Sequence, residues 1–151
     1  MEFADLRKAQ TLLIGAITNR WTMELQRGWR YQFIKEGERS TVIADTQAAA
    51  GQTTPKQWAI PSKEDGSTAE DYFLICRVKT PFAGGAQFVV AGLKQFGTEA
   101  AGMLVADPDQ LGPILRTLPA GWESQNLQLV LHSRVIGNTP AQPDVVAWHV
   151  W

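Results

Sequence analysis

The sequence predicts a single α/β domain with a mixed β-sheet of about seven strands, several joined as hairpins, and two or three covering helices. One stretch carries most of this prediction. The apolar run 88–91 passes through residues 92–97, which contain two glycines, into a small-residue helix pattern at 98–105. Residues 11–27 repeat the same order of buried strand, glycine, polar cap and helix. We therefore expect a Rossmann-like layered sandwich, in an incomplete form.

The remaining elements follow from alternating apolar and polar residues and from the turn residues between them. Core strands are expected at 11–17, 71–79, 87–93, 126–136 and 144–151. Hairpins should join the second of these strands to the third and the fourth to the fifth. A further hairpin should pair 29–34 with 41–44. Helices are expected at 21–27, at 98–105 and from Asp107-Pro108 onward, where Pro113 should kink or split the last helix. Residues 46–70 should form a long surface loop anchored by Trp58.

Composition excludes several classes of protein. The chain has 151 residues, 44% of them hydrophobic and 19% charged, which fits one globular domain with its own core. A net charge of −1 gives no electrostatic reason to bind nucleic acid or an anionic membrane. No apolar run has the roughly 18 to 20 residues of a membrane span, and residues 1–10 carry charges where a signal peptide needs an apolar core. We therefore expect a cytoplasmic chain without membrane or nucleic-acid contacts.

Two strand-to-helix turns, residues 15–22 (the first turn) and 92–99 (the second turn), are the candidate ligand site. Open backbone N–H groups at a helix start are a common place for a small anion, and the Arg20 guanidinium suits a carboxylate or phosphate. The candidate ligand-binding residues are Gly15, Thr18, Asn19, Arg20, Trp21, Thr22, Phe96, Gly97, Thr98 and Glu99. The alternative interpretation is that both segments are ordinary capped helix starts with a surface arginine. No dinucleotide or P-loop motif occurs, so no cofactor is expected.

Catalytic candidates are few. His132 and His149 fall on the last two strands, where a hairpin could bring them near each other, with Asp144 or Glu123 as a third metal ligand. The spacing is not a metal signature, and we favour a structural or surface pair of histidines over a metal site. Cys76, the single cysteine, excludes an internal disulfide and a cysteine zinc cluster, and its strand position is typical of a buried inert thiol rather than a nucleophile. The sequence thus assigns no metal site.

Three functions fit these residues. The first is a binding or sensing module that takes a small polar or anionic ligand at the two turns. The second is a small hydrolase of activated esters or phosphoesters, with a histidine as base and with Arg20 and the N–H groups of Gly97 and Thr98 stabilising the oxyanion. The third is a structural or oligomerisation module.

Several segments resemble one recurrent module, among them TNRWTMEL at 18–25, FGTEAAG at 96–102, PAGW at 119–122 and VAWHVW at 146–151. The chain resembles, over nearly its whole length, the uncharacterised C-terminal α/β module of acidobacterial membrane-anchored proteins labelled as transcriptional regulators. That family supplies no established activity. The resemblance implies that further α/β sequence precedes the position of Met1 and that this chain is a fragment. A fragment of a sheet exposes a strand edge, so a homodimer is expected.

Overall fold

The computed structural model describes residues 10–38, 40–47, 56–61, 67–79 and 84–151. Three α-helices lie in these ranges: α1 Arg20–Leu25, α2 Gln95–Ala106 and α3 Pro108–Leu115, with a 3₁₀ turn at Trp122–Ser124. The strands of the same ranges are β1 Thr11–Ile14, β2 Tyr31–Glu36, β3 Ser40–Asp45, β4 Gln57–Trp58, β5 Glu70–Lys79, β6 Ala86–Gly92, β7 Leu127–Ile136, β8 Thr139–Pro140 and β9 Asp144–Val150.

The larger sheet runs in the order β1-β6-β5-β7, and β9 and the short β8 both pair with the far side of β7. β1 lies parallel to β6, whereas the other pairings of this sheet are antiparallel. β5 is central because its apolar run is buried on both faces and can pair along its whole length. None of the described helices is long and apolar enough to cross a membrane.

The two faces of this sheet carry separate hydrophobic cores. Leu13, Leu74, Cys76, Val89 and Val130 point to the face covered by Leu25 of α1. The alternate residues of the same strands point to the opposite face, where α2 and α3 lie, and they include Phe73, Val90, Leu127, Leu129 and Leu131. The helix after β1 and the helix after β6 therefore lie on opposite faces of one sheet.

A second sheet, β2-β3-β4, is antiparallel and packs on the same face as α1. Two buried glutamines close the outer edge of β2. Gln128 of β7 accepts from the Tyr31 N–H at 3.1 Å and donates to the Tyr31 carbonyl at 2.9 Å. Gln26 makes the same pair of bonds with Phe33 at 2.8 and 2.9 Å. These amides satisfy backbone groups that an edge strand otherwise leaves open, and Gln128 ties the two sheets together.

The mixed α/β class is confirmed, and so are the three hairpins. The finer prediction of one sheet with about seven strands in a Rossmann-like sandwich is wrong. The described residues form nine strands in two sheets, with a curled mixed main sheet. The reason is that the outer edge of β2 hydrogen-bonds to the side chains of Gln26 and Gln128, so the β2–β3 hairpin does not pair with a strand of the main sheet.

Several elements differ from their expected form, and three of these differences have a clear physical or local description. β1 ends at Ile14 rather than at residue 17, because Gly15 adopts a left-handed conformation with φ of 96°. α2 begins at Gln95, three residues before the expected start. α3 continues through Pro113 to Leu115 as one helix. The expected long loop is only partly described, since residues 48–55 and 62–66 lie outside the described ranges; its anchor, Trp58, is buried in β4.

Candidate functional site

The parallel pairing of β1 with β6 brings the two turns together. Ile14 lies opposite Val90, and the Gly15 N–H donates to the Val90 carbonyl at 3.0 Å. The carboxyl ends of β1 and β6 therefore lie next to each other. After β1 the chain continues to α1 on one face of the sheet, and after β6 it continues to α2 on the opposite face. We use the name crevice for the region outside these two strand ends, between the first and second turns.

The first turn is held by hydrogen bonds within the chain. Asn19 is the N-cap of α1: its Oδ1 accepts from the N–H groups of Trp21 at 3.0 Å and Thr22 at 3.4 Å. Its Nδ2 donates to the Ile14 carbonyl at 3.1 Å. The buried Thr22 hydroxyl donates to the Gly15 carbonyl at 2.8 Å. Gly15, Asn19 and Thr22 therefore shape the turn.

Two other residues of the first turn present side chains at the surface. Arg20 is exposed, and its guanidinium carbon lies 4.4 Å from the centroid of the partly buried Trp21 ring. A guanidinium at this distance from an indole ring makes a cation–π contact. Thr18 is also exposed beside them. The first turn thus holds the Arg20 cation next to the Trp21 ring.

The second turn is capped by a residue that sequence reasoning did not select, Asp71. Its Oδ2 accepts from the Gly97 N–H at 2.6 Å. The backbone N–H of Lys94 donates to both carboxylate oxygens, to Oδ2 at 3.1 Å and to Oδ1 at 3.2 Å. Lys94 is the N-cap position of α2, and its own side chain makes no capping bond. Asp71 therefore occupies the place at the helix start where the sequence predicted an external anion.

The predicted donors of the second turn are consequently engaged. Thr98 N–H bonds to the Lys94 carbonyl at 3.3 Å as an ordinary helical pair, and the Thr98 hydroxyl accepts from the Gly92 N–H at 2.9 Å. Phe96 is partly buried and Glu99 is exposed on α2. Because α2 begins three residues early, Gly97, Thr98 and Glu99 lie inside its first turns rather than at its open start.

The environment of Asp71 controls its charge. The residue is fully buried. Burial raises the pKa of the Asp71 carboxyl to about 6, although hydrogen bonds from the N–H groups of Gly97, Lys94 and Tyr72 act in the opposite direction. A carboxyl with this pKa changes charge close to neutral pH. Perturbed titratable groups at strand ends are a recognised signal of a functional site.

The catalytic candidates lie apart. In the β7–β9 ladder His132 lies opposite Asp144, and His149 lies opposite Gln128. The two histidines are therefore separated by four residues along the hairpin, or about 13 Å at about 3.3 Å per residue. His132 Nε2 lies 3.2 Å from Glu70 Oε2. His149 stacks on Trp151, with ring centroids 4.9 Å apart. Among the described residues, no three His, Cys, Asp or Glu side chains are placed to hold a metal ion.

Cys76 is buried in β5, and burial raises the pKa of its thiol to about 12, with a weaker opposing effect from the Gln128 side chain. A thiol with that pKa is protonated at neutral pH and is a poor nucleophile. This side chain packs in the core against the α1 face.

Two concave surfaces lie away from the crevice. A cleft of about 410 Å³ is bounded by α2, α3 and the segment after β8, with Met103, Gln110 and Gln142 on its walls. A smaller apolar groove of about 220 Å³ lies between β1, β6 and the end of α2, and includes Leu12, Phe88 and Val105. Neither is lined by the residues predicted at the two turns.

Comparison with known proteins finds no match: no family model, no curated protein and no solved structure is significantly similar to this chain. The resemblance to the acidobacterial module therefore stays a prediction from the motif residues.

Proposed function

We propose that this chain is a module that binds a small polar ligand in the crevice between the first and second turns. One observation carries the proposal: β1 and β6 are parallel neighbours whose following helices lie on opposite faces of the sheet. At such a reversal the connecting segments separate, and a crevice opens outside the carboxyl ends of the strands. Ligands of open α/β sheets bind at this position.

The side chains at the crevice suggest the chemistry of the ligand. The N–H groups of Trp21 and Thr22 are bonded to Asn19, and those of Lys94 and Gly97 are bonded to Asp71, so we assign most of the recognition to exposed side chains. Arg20 places its planar, positively charged guanidinium 4.4 Å from the centroid of the Trp21 ring. Such a group favours a carboxylate or phosphate attached to a flat or apolar body that can lie on the indole. The ligand class we propose is therefore a small organic acid or phosphate.

Arginine substitutions test this proposal with a matched control. Thermal unfolding of the wild type is measured with phosphate, sulfate, acetate, benzoate and, as a neutral compound, glucose. Arg20→Ala should weaken binding of the anionic compounds about ten- to a hundredfold, since hydrogen bonds to a charged group contribute about 1.5 to 3 kcal/mol. Arg27→Ala removes an exposed arginine from the other end of α1 and should leave binding unchanged. Equal responses of both variants, or no anion-dependent stabilisation, would contradict the proposal.

A hydrolase is the alternative. The pair of His132 with Glu70, 3.2 Å apart, is the arrangement in which a carboxylate orients a general base. Against it, the Gly97 and Thr98 N–H groups are bonded within the chain and are not open to an oxyanion. Turnover of activated ester and phosphoester substrates that disappears in His132→Ala would favour the hydrolase. Lack of turnover by the wild type would remove it.

We also propose that two copies associate through β1. Two apolar side chains of β1, Leu12 and Ile14, expose 53% and 60% of their surfaces. The strand carries no charged residue, so two copies can bring these exposed apolar side chains together without like-charge repulsion. Ile14→Lys should convert a dimer into a monomer in light scattering, whereas Ile136→Lys, at the equally exposed far end of β7, should not. A monomeric wild type at high concentration would contradict this association.

A further inference from the structure

The cleft between α2, α3 and residues 140–143 has a volume of about 410 Å³, and the proposed function does not use it. This volume lies in the range of pockets that take small molecules, about 300 to 1,000 Å³. Ala100, Met103 and Leu104 form its α2 wall, because residues three and four apart share a helix face. Residues 140–143 form a second wall, and Gln110 of α3 lines the cleft as well. Three elements thus enclose one concave surface away from the crevice.

The α2 wall of the cleft is apolar. Ala100 and Leu104 are buried, whereas Met103 exposes 54% of its surface. A methionine side chain is polarisable and has three rotatable bonds, so it adapts its shape to an aliphatic ligand. An alkyl chain that covers Met103 would remove apolar surface of both partners from water.

The wall made by residues 140–143 offers more hydrogen-bond acceptors than donors. Pro140 and Pro143 have no backbone N–H. The Ala141 N–H already donates to the Arg134 carbonyl at 2.8 Å. Each of the four residues, by contrast, carries a carbonyl oxygen with two lone pairs. A ligand that donates hydrogen bonds therefore fits this wall better than a ligand that accepts them.

The electrostatic environment of the cleft favours a cation over an anion. Gln110 Nε2 donates to Asp107 Oδ2 at 2.7 Å, so a carboxylate lies beside the α3 side of the cleft. α2 ends at Ala106, and the C-terminus of a helix carries a partial negative charge. The positive start of α3 is compensated, since two N–H groups of its first turn donate to Asp107. None of the described residues that line the cleft is basic.

We infer that this cleft is a second binding site, whose ligand is a small organic cation with a primary ammonium group on an aliphatic stem. The stem packs on Met103 and Leu104. An ammonium group has three N–H donors and no acceptor, so it suits the carbonyl oxygens of residues 140–143 and the Oε1 atom of Gln110. The same features disfavour carboxylates and phosphates, the ligand class proposed for the crevice. The two sites therefore select ligands of opposite charge.

Pentylamine, pentanol and pentanoate, which share one alkyl chain and differ in charge, test this selection. Each is titrated into the ¹⁵N-labelled full chain at constant ionic strength and about pH 7, where the amine is protonated. Pentylamine should give saturable amide shifts at Met103, Ala141, Gln142 and the Gln110 side chain. Pentanol should bind about tenfold or more weakly, because it cannot form charge-assisted hydrogen bonds. Pentanoate should give no saturable shift at the cleft.

Three lysine substitutions locate the site. Met103→Lys and Gln142→Lys each bring an ammonium group to one wall of the cleft, and like-charge repulsion should lower the affinity for pentylamine about tenfold or more. Both positions are exposed, so either variant serves if the other does not fold. Gly102→Lys adds the same charge on another side of α2, where a Cβ meets no atom within 4 Å, and should keep the wild-type affinity.

Four results would overturn the inference: no saturable shift with pentylamine, shifts that lie outside the cleft, equal affinities for pentylamine and pentanol, or saturable binding of pentanoate in the cleft. Wild-type affinity for pentylamine in both Met103→Lys and Gln142→Lys would overturn it as well, and so would an equal loss in Gly102→Lys. Because the cleft and the crevice are separate, the presence or absence of anion binding at the crevice leaves this test unchanged.

Discussion

Gly92 and Thr98 close the second turn from its two ends. The Gly92 N–H donates to the Thr98 hydroxyl at 2.9 Å, and a Cβ on Gly92 would lie 2.6 Å from the Gly97 Cα. The strand end and the first turn of α2 are thus in direct backbone contact, which only glycine at position 92 allows. Thr98 is a residue of the candidate site, yet its hydroxyl is already bonded within the fold.

Removal of the Thr98 hydroxyl should therefore destabilise the protein. Thr98→Val leaves the Gly92 N–H without a partner in a buried position, which should lower the free energy of unfolding by about 1 to 3 kcal/mol. Thr98→Ser keeps the hydroxyl and should retain most of the stability. Urea denaturation of the three proteins measures the difference. A fully stable Thr98→Val would mean that the hydroxyl is free for a ligand.

Two glycines of α2 should respond oppositely to alanine. Alanine in a helix interior is favoured over glycine by about 1 kcal/mol, and a Cβ on Gly102 meets no atom within 4 Å, so Gly102→Ala should stabilise the protein. At Gly97 the new Cβ would lie 2.8 Å from the Asp71 carboxyl carbon, so Gly97→Ala should destabilise it despite the better propensity. Thermal unfolding of both variants checks the signs. Stabilisation in both would show that Asp71 does not pack against α2 as described.

Gln128 should be the most sensitive polar residue of the core. Gln128→Leu keeps the approximate volume but leaves the buried N–H and carbonyl of Tyr31 without partners. Each such group costs about 1 to 3 kcal/mol, so a loss of about 2 to 6 kcal/mol is expected for the two. Gln142→Leu, at an exposed position, provides the control. Chemical denaturation should separate the two variants clearly, and similar midpoints would refute the bridging role of Gln128.

The pH dependence of stability should carry the signature of Asp71. The pKa of this group rises from 3.8 in the unfolded chain to about 6 in the fold, so its contribution to stability is full below the unfolded value and is lost as pH rises through about 6. The difference in free energy of unfolding, wild type minus Asp71→Asn, should thus increase by about 2 to 3 kcal/mol on going from pH 7.5 to about pH 4. Asp45, whose pKa is lowered because hydrogen bonds from Arg30 and Gln47 outweigh the effect of burial, acts oppositely but is present in both proteins.

Most strands and hairpins could be predicted from the sequence, because alternation and turn residues are local signals. β5 and β6 matched their expected ranges closely for this reason. The division into two sheets could not be predicted in the same way. Alternation along Tyr31–Glu36 shows that a strand exists, but the glutamines that cover its edge come from the C-cap of α1 and from β7. Gln128 lies 97 residues from Tyr31 in the sequence.

The proximity of the two turns could be predicted from the sequence, but their internal bonding could not. The two turns lie side by side, as the repeated strand, glycine and helix order suggested. The start of α2 was misplaced because its cap is not local: Lys94, Gln95 and Phe96 carry no capping signal, and Asp71 supplies it from 26 residues upstream of Gly97. The available signal was the antiparallel hairpin, which brings the start of β5 beside the end of β6.

Amide shift mapping during a ligand titration tests the central claim, that the crevice is the binding site. Phosphate and benzoate are titrated into ¹⁵N-labelled wild type at constant pH and ionic strength. The account predicts saturable shifts that cluster at residues 15–22 and 92–96, on both turns at once. Shifts confined to the cleft around Gln110 and Gln142, or no saturable shift with either compound, would contradict it.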